Sequence, residues 1–239
     1  MVATKFDSYT WRARIVPAFL VFLPLAIAVF LWIPSIELIT RLTGVVLGPL
    51  GIAMLMAQVG RDRGYKKQPH LWNQWGGAPT TQLLRHRNLE TNPVLRERYH
   101  QKLKELQPDI EIPTLEEEEQ DPQRADHTYE ACIRHLITRT RDRKQFPLIF
   151  HENVNYGFRR NLWGLKLFGI LFALTGLTAC SLNLWLNWQQ TQRIATEAAV
   201  SGAFNLVLLL FWIFWVTPSW VRIAADAYAA RLLETCEQL

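Results

Sequence analysis

Apolar residues in this chain gather in long runs toward its two ends, and charged residues gather in the middle. Four runs stand out: Ile15–Ile33 and Val200–Val216 carry no charge, Leu42–Val59 has only Thr43 and Gln58 as polar members, and Leu162–Leu186 holds Lys166 as its single charge. About 20 apolar residues in a helix cross the hydrocarbon core, and about 17 suffice. In lipid a segment must satisfy its own backbone, so these runs predict α-helices. The fold class that follows is an all-α integral membrane protein, with four transmembrane helices as two hairpins and a helical cytosolic insert between spans two and three. The competing explanation, buried helices of a globular protein, is disfavoured by the lack of charge over whole runs. It is also disfavoured by Trp11, Trp32, Trp163, Trp185, Trp188 and Trp220 near the run ends, where amphipathic rings prefer the headgroup layer. Ala26-Ile27-Ala28 loosely fits a signal-peptide cleavage site, but the apolar run continues beyond it, so the segment is expected to be retained.

The chain therefore divides into four parts. Residues 1–59 are a tail and first hairpin (spans about 15–33 and 42–59), and 60–161 are a cytosolic helical domain. Residues 162–217 are the second hairpin (spans about 162–186 and 200–216), and 218–239 are a cytosolic amphipathic tail. Of the 26 Lys and Arg residues, only Arg41 and Arg193 fall in the short hairpin turns. The near flanks agree: Arg61, Arg63, Lys66 and Lys67 follow span two, and Arg159 and Arg160 precede span three. Positive charge stays on the cytosolic side, which predicts a multi-pass protein of the inner (plasma) membrane with both termini and residues 60–161 in the cytosol.

No ionisable residue lies in the centre of any span, which argues against ion-coupled transport. Gly44 and Gly48 form a G-x-x-x-G suited to close helix contact, and Asn183 and Asn205 are polar groups suited to joining neighbouring helices. The expected lipid-embedded assembly is a homo-oligomer.

Charge in the insert runs in blocks: net +7 over Val59–Lys104, −9 over Glu105–Cys132 and +5 over Ile133–Asn161. Helix signals dominate. Asn92-Pro93 is a cap followed by proline at the first helical position. Thr114 precedes a run of four glutamates, read as a solvated helix start favoured by the helix dipole. The stretch around Tyr129, Cys132, Ile133, Leu136 and Ile137 has helical apolar spacing. Pro147 opens a helix expected to run into span three.

The segment WNQWGGAPTTQLLRHR (Trp72–Arg87) is the least ordinary in the insert. Trp72, Trp75, Gly76 and Gly77 are read as a membrane-proximal anchor with a glycine turn, and Thr80 or Thr81 as the cap of a basic helix. The arginines are the candidate ligand or phosphate contacts: Arg85, Arg87, Arg139, Arg143, Arg159 and Arg160. Convergence of these blocks in the fold would make an anion site. No phosphate loop, nucleophile elbow or H-E-x-x-H is present, and His151-Glu152 are neighbours that diverge on a helix. Cys132, Cys180 and Cys236 are scattered, so no disulfide framework is expected. No catalytic residue, metal ligand or cofactor is assigned.

These features lead to a sensor, scaffold or effector, whose basic cytosolic domain recognises an anionic ligand or protein partner and couples to the membrane helices. By general plan alone, without a matching motif, it fits bacterial signalling or defence. The rivals are a membrane enzyme acting on lipid or nucleotide phosphates, using His86, His151 and Glu152, and a plain assembly anchor. Nucleic acid is a weaker partner, given the acidic block.

Overall fold

The computed structural model describes the backbone of residues 8–32 and 38–239, with side-chain surroundings for all of these outside 29–50. The regular structure of the described residues is entirely helical. Ser8–Thr10 (α1), a π-helical turn at Trp11–Ile15, and Val16–Trp32 (α2) follow one another directly. Leu38–Trp75 (α3), Pro79–Gln82 (α4), Pro93–Leu106 (α5), Leu115–Gln120 (α6) and Pro122–Arg139 (α7) come next. Pro147–Gly164 (α8), Lys166–Thr191 (α9), Thr196–Leu210 (α10) with a π-helical turn at Phe211–Trp215, and Pro218–Glu234 (α11) complete the chain, apart from a final turn at Thr235–Glu237.

Three helical stretches are long and apolar enough to cross a membrane: Ser8–Ala28, Lys166–Thr191 and Thr196–Trp215. The first starts before the uncharged run at Ile15, because the helix continues through Arg12 and Arg14. The expected span Leu42–Val59 is helical within α3, but the surroundings of its residues 42–50, including Gly44 and Gly48, lie outside the described side chains. The helix does not end at Val59. It continues through Gly60, Gly64 and Pro69 to Trp75, where the sequence pattern had placed the start of the insert.

Two compact units result, each discontinuous in sequence. The first contains residues up to Lys67 with Gly157–Val221, and the second contains Gln68–Tyr156 with Arg222–Leu239.

In the first unit α9 and α10 pack antiparallel, with Gly169 against Trp212 and Gly176 against Asn205. A Cβ on Gly176 would also meet the Pro24 carbonyl of α2 at 2.9 Å, so three apolar helices meet at this glycine. Small residues permit such backbone approach where lipid offers no hydrophobic drive between helices. Asn205 is fully buried there and donates to the Ser201 carbonyl at 3.0 Å. Asn183 accepts from Asn187 within α9, also at 3.0 Å. Outward-facing residues of these helices are large and apolar: Val207 is 62 % exposed and Phe214 72 %.

A second close approach joins α3 to α8. A Cβ on Gly164 would lie 2.7 Å from the Gly64 nitrogen and 2.8 Å from the Gly60 carbonyl. Gly60-x-x-x-Gly64 is thus the G-x-x-x-G whose contacts are described, in a stretch that charge alone had marked as the beginning of the insert.

The second unit has its own core, formed by Leu84, Tyr99, Leu103, Tyr129, Cys132, Ile133, Leu136, Phe146 and Ile149. Two helix starts read from the sequence are realised at their expected places. The Asn92 side chain accepts from Val94 and Leu95, and Thr114 and Glu117 form a reciprocal capping box. Each satisfies amide groups that the first helical turn leaves open. Ile137 is the exception on the α7 face, at 38 % exposure. Residues beyond 221 are no peripheral tail: Leu232, Leu233 and Cys236 are buried in this same core. The sequence reading took 218–239 as an amphipathic tail, and packing shows where its apolar residues go.

Candidate functional site

The segment Trp72–Arg87 is built as a corner, not as a capped helix. Trp72 and Trp75 lie in the last turn of α3, both half-buried. The Gly77 amide donates to the Trp72 carbonyl at 2.7 Å and the Gly76 amide to Asn73 at 3.3 Å, which is the Schellman arrangement that stops a helix. Gly76 has φ +84° and Gly77 φ +135°, conformations that side chains disfavour. Gln82 closes the corner by donating from Nε2 to the carbonyls of Trp75 (2.9 Å) and Gly77 (2.7 Å). The threonines do not cap. Ala78 occupies the cap position before Pro79, the Thr81 hydroxyl is buried without a hydrogen bond, and α4 ends at Gln82. Arg85 and Arg87 therefore stand in turns.

Those two arginines meet carboxylates from far along the chain. Arg85 grips Asp126 through two bonds, Nε to Oδ1 at 2.7 Å and Nη2 to Oδ2 at 2.8 Å, and its Nη1 donates to the Gly76 carbonyl. Arg87 donates through Nη2 to both Asp126 oxygens at 2.9 Å and through Nη1 to Glu118 at 2.9 Å. Asp126 thus sits between two guanidiniums, and two positive charges face two negative ones. Paired, planar bonds of this kind are the strong form of ionic hydrogen bond.

Glu118 is the centre of the arrangement. It is 1 % exposed and accepts four bonds: from the amides of His86 (2.8 Å) and Arg87 (3.1 Å), from Arg87 Nη1, and from the Tyr129 hydroxyl (2.7 Å). Burial alone would raise its pKa, but the bonds from Tyr129, His86 and Arg87, together with the Arg87 charge, hold it below the ordinary carboxylate value. The reading of the four glutamates as a solvated helix start fails for this one. Its three neighbours Glu116, Glu117 and Glu119 are exposed, as expected. The Tyr129 phenol is driven upward first by its own burial, then by its hydrogen bond to Glu118 and by the Glu118 charge.

Two histidines pack beside this carboxylate. His86 and His100 rings meet edge to face at 4.8 Å, and His100 stacks on Tyr129 at 5.7 Å. Their Nε2 atoms lie 3.0 Å from the Pro113 carbonyl and 2.7 Å from the Leu84 carbonyl. Carbonyls only accept, so each Nε2 carries the hydrogen. Burial lowers the His100 pKa, partly opposed by the Leu84 bond. Arg96 donates from one nitrogen to the carbonyls of Arg85, His86 and Asn88 at 3.1–3.2 Å, holding the turn from its other side. The thiols of Cys132 and Cys236 are pushed up by burial to about 11 and about 12, values that suppress thiolate chemistry.

The other expected contacts lie elsewhere. Arg139 and Arg143 are exposed at the far end of α7, Arg143 lying 4.8 Å over the Phe150 ring. Thirteen residues of helix separate Asp126 from Arg139, about 20 Å at 1.5 Å per residue, so the Arg85 and Arg139 blocks do not converge. Arg159 and Arg160 belong to the first unit. Arg159 donates to the Trp220 carbonyl at 2.9 Å and covers its ring, and Arg160 is buried 3.8 Å over Tyr65. Glu118, Asp126, His100 and Arg96 were absent from the sequence-based candidates. A reciprocal charge pattern, basic over 85–98 and acidic over 105–130, was the available signal, but it does not say which residues pair.

Fold and site together define an all-helical protein with apolar helices fit for a membrane and a second unit organised around one buried carboxylate. No family model, curated protein or solved structure matches the chain.

Proposed function

We propose that this is a four-span membrane protein in which spans one–two and three–four form hairpins, and both termini and residues 60–161 face the cytosol. Its second unit is a recognition module, not an enzyme, and it binds an anionic ligand or an acidic protein partner. The observation that carries this reading is the corner closing α7: Arg139, Arg141, Arg143 and Lys144 are all exposed there, with Asp142 as the sole acid in that stretch. Arg85 and Arg87 are paired with Asp126 and Glu118. The ligand contact is assigned to the exposed basic corner around Arg139, with the Glu118 network as the rigid frame that holds the unit together. Binding is communicated to the membrane helices through α8 and α9, which only Leu165 separates, and the working form is a homo-oligomer. The large exposed apolar residues of α9 and α10 support membrane insertion.

Two measurements test this. Cysteines placed singly at Arg139 and Arg193 in an otherwise cysteine-free chain should label from opposite sides of the membrane; labelling from one side breaks the topology. For recognition, the full chain in phosphatidylcholine nanodiscs should bind pyrophosphate, and Arg139→Glu/Arg143→Glu should lose that binding. A wild type that ignores both pyrophosphate and an acidic peptide leaves the anchor reading in possession.

A further inference from the structure

We propose that Arg63, Lys67 and Lys166 form a binding site for the phosphate of an anionic phospholipid. All three belong to the first unit, and the close packing of α3 on α8 places them. Gly64 lies against Asn161 and the Arg160 carbonyl, and Gly60 against Leu165. With those glycines in contact, Arg63 and Lys67, one helical turn apart, flank the seam. Arg63 sits 4.7 Å over the Phe168 ring, and the Lys67 ammonium 4.6 Å over the Trp163 ring. Aromatic faces hold a cation in place without neutralising it.

The third cation comes from the first residue of α9. Lys166 Nζ donates to the carbonyls of Ile213 and Val216, both at 2.9 Å, where the helical stretch Thr196–Trp215 ends. That fixes the ammonium and uses two of its three hydrogens. One membrane-length helix begins at this level and another ends there, which is where a bilayer's phosphates lie.

No carboxylate among the described residues pairs with Arg63, Lys67 or Lys166, and the side chains of Arg63 and Lys67 donate no hydrogen bond to a described residue. Asp62 is exposed, and at i,i+4 spacing it shares its face with Lys66 instead. The mutual repulsion is felt at Lys67, whose pKa is lowered first by burial and then by the charges of Arg63 and Lys166. An oxyanion between them would relieve that repulsion and take up the unused donors. A lipid suits the surroundings better than a free phosphate. Leu167, Leu171 and Leu174 run along one side of α9 from this point, each 44–53 % exposed, and offer an apolar track for acyl chains.

The proposal rests on the membrane reading above, and the test separates the two. The full chain is expressed in membranes and washed with alkaline carbonate; release by the wash defeats membrane insertion. Protein that stays is extracted in neutral detergent and titrated with phosphatidylglycerol, with phosphatidylcholine, and with inorganic phosphate, binding being read by native mass spectrometry. Wild type should prefer phosphatidylglycerol over phosphatidylcholine. Arg63→Gln/Lys67→Gln should weaken the anionic lipid by about 30-fold, the expectation for two interfacial charges, whereas Lys66→Gln should not. If the double variant fails to fold by circular dichroism, Lys67→Gln alone is read the same way, with a loss of about fivefold. Unchanged lipid preference in the folded variant overturns the site. Inorganic phosphate binding as tightly as phosphatidylglycerol overturns the lipid as its occupant and assigns the site to a soluble anion.

Discussion

Arg85 and Arg87 in the second unit and Arg63 and Lys67 in the first look alike in sequence, as basic pairs close to apolar helices. In the fold they end in opposite electrostatic states. The first pair is neutralised by Asp126 and Glu118, with Glu118 almost fully buried and accepting four hydrogen bonds. The second pair is held over aromatic rings with Lys166 nearby and no carboxylate partner among the described residues. A compensated charge cluster acts as structure, because its bonds are spent on the protein itself. An uncompensated one stores repulsion that an outside anion can relieve. The abundance of arginine in a segment therefore says little about binding until its partners are known.

The sharpest way to break this contrast is Glu118→Gln. It leaves Arg87 and the amides of His86 and Arg87 facing a neutral amide in a buried setting, where losing one partner costs about 3 kcal/mol. Denaturant unfolding of the purified chain in detergent checks this, and a change within error would show that the network is dispensable. Next in size is Gly164→Ala. Its methyl group would press on the Gly64 and Gly60 backbone, which has little freedom to yield, so overpacking should cost about 2 kcal/mol and loosen the seam that positions Arg63 and Lys67. Thermal unfolding in micelles reads the first effect and the phosphatidylglycerol titration the second.

Acidification probes the compensated region through two groups of the same sign. His100 has a lowered pKa in the fold, so below the unfolded value of 6.5 the unfolded chain takes up a proton that the folded chain refuses, and stability falls. Glu118 is also lowered; its contribution is present above the unfolded value of 4.5 and is lost as pH falls through the folded one. Between pH 6.5 and 5.5 the loss should therefore belong to His100, at up to about 1.4 kcal/mol for one proton per pH unit. His100→Gln should flatten that part of the curve, and an equal slope in wild type and variant would reject the assignment. The smallest effect is the most telling in sign. In a neutral detergent Arg63→Gln/Lys67→Gln should leave stability unchanged or raise it by about 0.3 kcal/mol, since like charges at i,i+4 repel. A loss of more than about 1 kcal/mol on this scale would mean that the cluster is compensated after all.

Local features of the fold were legible in the sequence, and nonlocal ones were not. Asn92, Thr114 and Pro147 marked helix starts because a cap acts on amides two or three residues away. Tyr129, Cys132, Ile133 and Leu136 marked a buried face because helical spacing repeats within a few turns. Thr80 and Thr81 misled, since Pro79 and the glycine stop of α3 settled the local geometry first. The charge blocks hinted that the 85–98 and 105–130 regions attract one another. They did not single out Glu118 from four consecutive glutamates, because which one faces inward depends on how α6 lands against α7.

The sequence by itself determined an all-helical chain, apolar helices fit for a membrane, and the caps of helices Pro93–Leu106 and Leu115–Gln120. Hydropathy, periodicity and capping are properties of neighbouring residues, and they hold before any tertiary contact forms. Tertiary structure alone decided that residues 222–239 join the core of the second unit, that α3 continues to Trp75, and which arginines find carboxylates. Arg85 reaches Asp126 across 41 residues and Arg87 reaches Glu118 across 31. Contacts at such separations depend on how the helices pack, and packing is settled by the shapes of glycine seams and buried side chains that no local pattern records.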